Sequence, residues 1–275
     1  MRFTRHTVCL FGALFLLSST SSAQRASLFR DGIGTWQLNV GLGTTHYAGD
    51  LSVMGNYRRM AMGATIDVAV AHRLSTRLSL RAEAQLYYLR GNHRNTRNYY
   101  KNLSFYSINP DLWAGVQVDL WPIDDPNRSR IPYGFVGLGV TYMTPRAIYQ
   151  GHSYSLAPLH TEGVAYNRLA PLLRYGVGLP IWTGARMRVM AEAAYTHVGS
   201  DYLDDVSTTY PAETPANPLA AALSDRRTEI GLSPQRNSNN RGNPGRKDGY
   251  MTLTGRLVYV LDTPLLRTNR RWRRG

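Results

Sequence analysis

The sequence predicts an all-β fold: an eight-stranded antiparallel transmembrane β-barrel with long extracellular loops and short periplasmic turns. Three observations lead there. About eight segments of roughly ten residues alternate apolar with polar or small side chains, the period of a strand whose two faces meet different surroundings. The gaps between them are alternately short and long, giving the molecule two unlike ends, as in a barrel with tight turns on one side of a membrane and large loops on the other. Tryptophans and tyrosines fall near segment ends, where aromatic girdles sit.

Residues 1–23 carry Arg2 and Arg5, an apolar run over 8–17 and the small residues Ser21, Ser22 and Ala23, the pattern of a secretory signal peptide. The barrel is therefore expected over 24–262, followed by a basic periplasmic tail at 263–275. The apolar run is too short for a spanning helix, and no later stretch approaches the roughly 20 apolar residues one needs. Cys9, the single cysteine, lies in the signal, so the mature chain is expected to have no disulfide and no thiolate chemistry. A mean hydropathy of -0.32 is too polar for a helical membrane protein and suits strands with one face toward a polar lumen.

Taken in order, segment 35–47 sets Trp36, Leu38, Val40 and Leu42 against Gln37, Asn39, Gly41 and Gly43. Segment 60–71 sets Met62, Ala64, Ile66, Val68 and Val70 against Gly63, Thr65 and Asp67, and segment 77–89 sets Leu78, Leu80, Ala82, Ala84, Leu86 and Tyr88 against Arg81, Glu83 and Gln85. Segment 105–121 opposes Leu112, Ala114, Val116, Val118 and Leu120 to Gly115, Gln117 and Asp119. Segment 133–142 opposes Val136, Leu138, Val140 and Tyr142 to Gly137, Gly139 and Thr141. Segment 167–181 opposes Leu169, Leu173, Tyr175, Val177 and Leu179 to Arg168, Arg174, Gly176 and Gly178. In segment 186–198, Met187, Val189, Ala191, Ala193 and Tyr195 alternate with Arg186, Arg188, Glu192 and Thr196. In segment 249–261, Met251, Leu253, Leu257, Tyr259 and Leu261 alternate with Thr252, Thr254 and Arg256.

An even number of strands puts both termini on the periplasmic side. The connections at 72–76, 122–132 and 183–185 are the shorter ones, while 48–59, 90–104, 143–166 and 199–248 are the outer loops. A soluble sandwich would have no reason to sort its loops by parity. Trp36, Trp121 and Trp182 fall at periplasmic strand ends, and Tyr47, Tyr88, Tyr142, Tyr195 and Tyr250 near outer ends, as girdle residues. On the polar faces, Asp67, Glu83, Asp119 and Glu192 point into the lumen with Arg81, Arg174, Arg188 and Arg256, an expected ion-pair network. It reads either as a lined ion path or as a packed plug, and the narrowness of an eight-strand barrel favours the plug.

Enzyme motifs are absent or weak: there is no Walker loop, no H-E-x-x-H and no Cys/His metal spacing, and Gly151-His152-Ser153-Tyr154-Ser155 only brushes a nucleophile elbow. His46, His197, Ser153 and Ser207 are the residues a lipid-hydrolysing barrel would use; a non-enzymatic chain without cofactors is the expectation. The net charge of +14 falls to +12 without Arg2 and Arg5, and much of the excess sits in Arg267, Arg270, Arg271, Arg273 and Arg274 after the last strand. Anionic lipid headgroups or an acidic periplasmic protein are its expected partners, beside the reading as a solvated tail; a secreted barrel meets no nucleic acid.

The outer loops hold the most distinctive words: Thr45-His46-Tyr47-Ala48-Gly49-Asp50-Leu51, then Tyr202-Leu203-Asp204-Asp205-Val206-Ser207-Thr208-Thr209-Tyr210, then Arg241-Gly242-Asn243-Pro244. Through these the chain resembles the PorG-like outer-membrane barrels of Bacteroidota, associated with the type IX secretion system. The resemblance covers most of the mature chain but not much of 211–240 or the tail beyond Leu261. It implies a non-enzymatic outer-membrane component that contacts a periplasmic ring of PorK- and PorN-like proteins. Read from the residues alone, Asp201, Asp204 and Asp205 either cap turns and pair with basic neighbours or offer oxygens to calcium, although their spacing lacks a loop-type ligand series.

Overall fold

A computed structural model of the chain describes residues 31–52, 61–123, 125, 130–235, 239–245 and 247–261. The expected signal peptide at 1–23 and the basic tail with Arg267, Arg270, Arg271, Arg273 and Arg274 lie outside the described residues. Ten strands follow one another in the chain: β1 (Trp36–Ala48), β2 (Met62–Arg73), β3 (Leu78–Asn92), β4 (Ser104–Asp119), β5 (Tyr133–Tyr142), β6 (Arg146–Tyr149), β7 (His152–Ser155), β8 (Leu169–Thr183), β9 (Met187–Val198) and β10 (Gly249–Leu261). Among the described residues one short α-helix, α1 (Pro218–Ser224), lies in the last outer loop.

Eight of the strands close into an antiparallel ring, β1-β2-β3-β4-β5-β8-β9-β10, sealed by pairing of β1 with β10 from Trp36↔Leu261 to Ala48↔Gly249. The strands occupy the eight segments where the alternation falls. β6 and β7 form a separate hairpin hung on β4 through Tyr106↔Arg146. The alternation does not reveal this hairpin, because four residues are too few to declare a period. β3 and β4 run 15 and 16 residues, beyond the roughly 9–11 a tilted membrane strand needs, so their hairpin rises past the bilayer into the outer loops.

The exterior is what makes this a membrane protein. The outward positions of the eight barrel strands hold no Asp, Glu or Lys; apart from Arg90, His46, His72 and His197 they are neutral, and most are large apolar residues. Leu42, Leu138, Val177 and Leu253 are each more than 60% exposed, an energetic liability in water and a match to hydrocarbon. The chain is an outer-membrane β-barrel. At its periplasmic rim Trp36 and Trp182 stand exposed, with Trp36 tilted over His72 at 4.4 Å, and Trp121 is half-buried. A bulge between Pro180 and Trp182 breaks the parity of β8 so that Ile181 and Trp182 both face outward.

Tyr88, Tyr142 and Tyr195 face outward near the outer ends, but Tyr47 and Tyr250 do not. Their expected place in the girdle is corrected: they are 2% and 0% exposed, and they face the lumen because odd positions in β1 and even ones in β10 share the polar face. Two glycines show how tightly the interior is filled. A Cβ on Gly41 would meet the Asp67 carboxylate at 2.3 Å, and one on Gly137 would meet the Trp113 ring at 2.5 Å. Leu138→Arg, which places a charge on the lipid face midway along β5, is expected to lower stability by about 2–4 kcal/mol in reversible unfolding from lipid vesicles.

Candidate functional site

Inside the ring, residues of one parity meet at three levels. At the periplasmic level the Arg73 guanidinium bridges Asp31 and Asp119, each at 2.5 Å, and Thr35 donates to Asp31 at 2.7 Å. Arg188 sits buried on the neighbouring wall. At mid-height, Arg81 pairs with Glu192 at 2.7 Å and also with Glu83. Arg256 reaches Asp67 at 2.8 Å, Glu83 at 2.8 Å and Glu192 at 3.0 Å. Arg174 lies 3.9 Å from Glu83 and donates to Thr196 and Thr252 at 3.0 and 3.1 Å. Tyr133 donates to Glu192 at 2.7 Å, and Trp113 and Phe135 lie under Arg81 at 5.1 and 4.9 Å. Three carboxylates and three guanidiniums are thus wound together, with Arg81 and Arg174 both over the Trp113 ring, which is how buried charge is tolerated.

Asp67, Arg81, Glu83, Arg174, Glu192 and Arg256 form the mid-level cluster, while Asp119 belongs with Arg73 below. Arg73 falls within the connection expected over 72–76, but β2 runs on to it and gives it the polar parity, whereas Asp31 lies ahead of β1 and reaches the lumen through the turn at Gly34. Above the cluster, Tyr250 donates to Asp111 and stacks on Tyr87 at 4.3 Å, and Tyr87 shares a hydrogen bond with Thr141 at 2.8 Å. Asp111 also has lumen parity and went unremarked in the sequence.

Over this lies a folded cap built from the outer loops. Its apolar core joins Leu51, Leu89, Leu103, Phe105, Met143, Leu156, Leu203, Val206 and Leu223, packed on Tyr47 and Tyr250, so the outer mouth is stopped by packed side chains. The segment Tyr202 to Ser207 runs through its centre: Leu203, Asp204, Asp205, Val206 and Ser207 are all buried, and Tyr202 stacks on Tyr166 at 4.3 Å. Asp205 takes a left-handed turn at φ 67, a conformation an Asp side chain accommodates. Its carboxylate accepts from Thr161 at 2.5 Å and Tyr166 at 2.7 Å. Arg241 ties the cap together, pairing with Glu162 at 3.1 Å, lying 3.7 Å from the Asp205 carboxylate and donating to the carbonyls of Asp205 and Ser224. Glu162 in turn accepts from the backbone of Ser207 and Thr208, both at 2.9 Å.

One arrangement in the cap demands a proton. The Tyr47 hydroxyl lies 2.6 Å from Asp204 Oδ2 and 2.7 Å from Asp248 Oδ1. A phenol has one hydrogen to give, so the second short contact requires a protonated carboxyl on one of the two acids. Burial accordingly pushes both Asp204 and Asp248 well above the usual carboxylate range, each raised further by neighbouring acids. Burial also lifts Asp201 to about 7 and Asp205 to about 6. Asp50 completes the cluster by accepting from the Asn243 backbone at 2.6 Å.

The residues a lipid-hydrolysing barrel would use are not assembled. His197 hydrogen-bonds Tyr175 at 3.2 Å on the outer surface, His46 lies two strands away across β10, Ser153 contacts Arg146 in the β6–β7 hairpin, and Ser207 is buried in the cap. Among the described residues no group of three or more His, Cys, Asp or Glu is placed to hold a metal ion. The geometry defines a plugged and capped outer-membrane barrel.

No protein-family profile matches the chain, and no curated protein matches it in sequence. Solved structures similar in form include Neisserial surface protein A (10% identity, TM-score 0.43, covering 82% of this chain and 96% of that one). The outer membrane protein OprG from Pseudomonas aeruginosa is similar at 10% identity and TM-score 0.42, covering 84% and 98%. Ail, the attachment invasion locus protein of Yersinia pestis, is similar at 11% identity and TM-score 0.39, covering 83% and 99%. These are likenesses of barrel form, and nothing those proteins do transfers with them.

Two outcomes follow from the interior. Glu192→Ala strips Arg81 and Arg256 of a partner inside the lumen and is expected to cost about 3–5 kcal/mol, read as a lowered unfolding midpoint of the purified barrel. The cap acids have folded pKa values raised above those of the unfolded chain, so their contribution is fully present below about pH 4 and is lost as pH rises through about 6 and 7 and beyond. Hydrogen exchange of 201–210, corrected for intrinsic rates, should therefore quicken from pH 5 to pH 8, and Asp248→Asn should flatten that dependence.

Proposed function

We propose that this chain is a non-enzymatic outer-membrane component of a protein secretion apparatus, a PorG-like barrel that anchors or contacts a periplasmic ring of PorK- and PorN-like proteins. The observation that carries the reading is a convergence. The three sequence words that resemble that family, at 45–51, 202–210 and 241–244, meet in the cap, through the buried pairs Tyr47 with Asp204 and Arg241 with Asp205 and the exposed contact of Asp50 with Asn243. Words so far apart in the chain share one structural task, which is what common descent of the whole cap would leave behind.

The filled lumen supports the non-transport part of the reading, since a molecule with no open channel acts through its rims. The periplasmic rim offers exposed Arg77 and Arg130 in its turns, a basic surface suited to an acidic protein partner. A second reading, a passive or adhesive surface barrel, draws on the exposed Tyr99, Tyr100 and Ile230 of the cap.

Affinity purification of the detergent-solubilised barrel followed by mass spectrometry separates the two. The secretion reading expects periplasmic ring proteins in the eluate, lost when Arg77 and Arg130 are changed to Glu together. Recovery of no ring protein, or conductance in planar bilayers, would overturn it.

A further inference from the structure

On the lateral face of the barrel, just above the apolar band, three side chains from neighbouring strands stand in a row. The register places Arg90 of β3 opposite Tyr106 of β4, and Tyr106 opposite Arg146 of β6, all three outside the barrel. With strands about 4.8 Å apart, the two arginine backbones flank the tyrosine across about 10 Å, a span that two guanidiniums can close on one small anion. Below them, two residues along each strand, Tyr88 and the exposed Ile108 mark the upper edge of the hydrocarbon.

The row is organised. Ser153 of β7 contacts the Tyr106 hydroxyl and accepts from Arg146 Nε at 2.8 Å, while its carbonyl lies 3.4 Å from Arg146 Nη2, so the Arg146 fork is aimed before any ligand arrives. Those partners are neutral, and the outward positions of the barrel strands contain no carboxylate to cancel either charge. A third guanidinium lies further round the same side of the barrel, Arg168, stacked at 4.5 Å on the outward Tyr142. Isolated arginines at such a height only snorkel to water; two flanking an aromatic ring, one of them held by a hydroxyl, make a forked anion cradle over an apolar wall.

We infer that Arg90, Tyr106 and Arg146 form a binding site for the phosphorylated head group of an outer-leaflet glycolipid, with the acyl chains on the apolar face below. The two guanidiniums take the phosphate oxygens, and the tyrosine ring packs on the sugar. The site is independent of the secretion reading, since it concerns the lateral wall and not the rims.

The test uses the whole chain in detergent micelles, with bisphosphorylated lipid A and the same lipid A stripped of its phosphates as the two probes. Wild type should bind the phosphorylated form at least tenfold more tightly. Arg90→Gln with Arg146→Gln should lose at least tenfold in affinity for it. Arg94→Gln with Arg97→Gln, which removes the same charge from the exposed outer loop, should leave it unchanged. Equal affinity of the wild type for the two lipids would overturn the site without recourse to any variant. So would a lipid-facing double variant that binds as wild type does, or an equal loss in both double variants, which would assign the effect to net charge alone.

Discussion

Every backbone amide and carbonyl inside a bilayer must find a partner within the protein, and the pairing of β1 with β10 is what meets that demand here. Once the ring is closed no edge remains, and each strand has one face for lipid and one for the lumen. The two-residue period then sorts the chain without further instruction. Charge on the lipid parity is nearly absent, so ten buried acids and arginines of the barrel strands, from Asp67 to Arg256, are driven to the other one.

Closure sets the second constraint, because eight strands enclose too little space for both side chains and a water column. The interior charges must satisfy one another. Arg256 makes contact with Asp67, Glu83 and Glu192 at once, and the glycines at 41 and 137 give up side chains so that Asp67 and Trp113 fit. The net worth of such a cluster over an apolar filling is small, since desolvation offsets much of the attraction. Its consequence lies in specificity: each member removed strands the others, so the register of β2, β3, β5, β8, β9 and β10 is held by a few shared carboxylates.

The barrel was legible in the sequence because period two is a local signal repeated eight times. Strands 133–142 and 249–261 coincide with β5 and β10, and the remaining ends agree to within three residues. Parity also gave the lumen residues, and ignoring it misplaced Tyr47 and Tyr250. Arg73 is illegible because it extends the polar face of β2 past the last apolar residue, where alternation has no contrast to display, and Asp31 because it lies in the turn ahead of β1, outside any period. The cap was illegible for a different reason. Its contacts join residues as distant as 47 and 204, or 101 and 241, and no short-range pattern announces them. What the sequence did offer were unusual words, whose joint purpose becomes visible only when Arg241, Asp205 and Glu162 stand together.

The place of Tyr47 also carries a chronology. It stands on the first barrel strand beside Tyr250 of the last, and its two carboxylate partners, Asp204 and Asp248, come from the loop that leads into that last strand. The pocket for its hydroxyl has no walls until the two ends of the chain have been zipped side by side. Cap and seam are therefore coupled, and a properly dressed outer surface is a report to the exterior that the barrel behind it is closed.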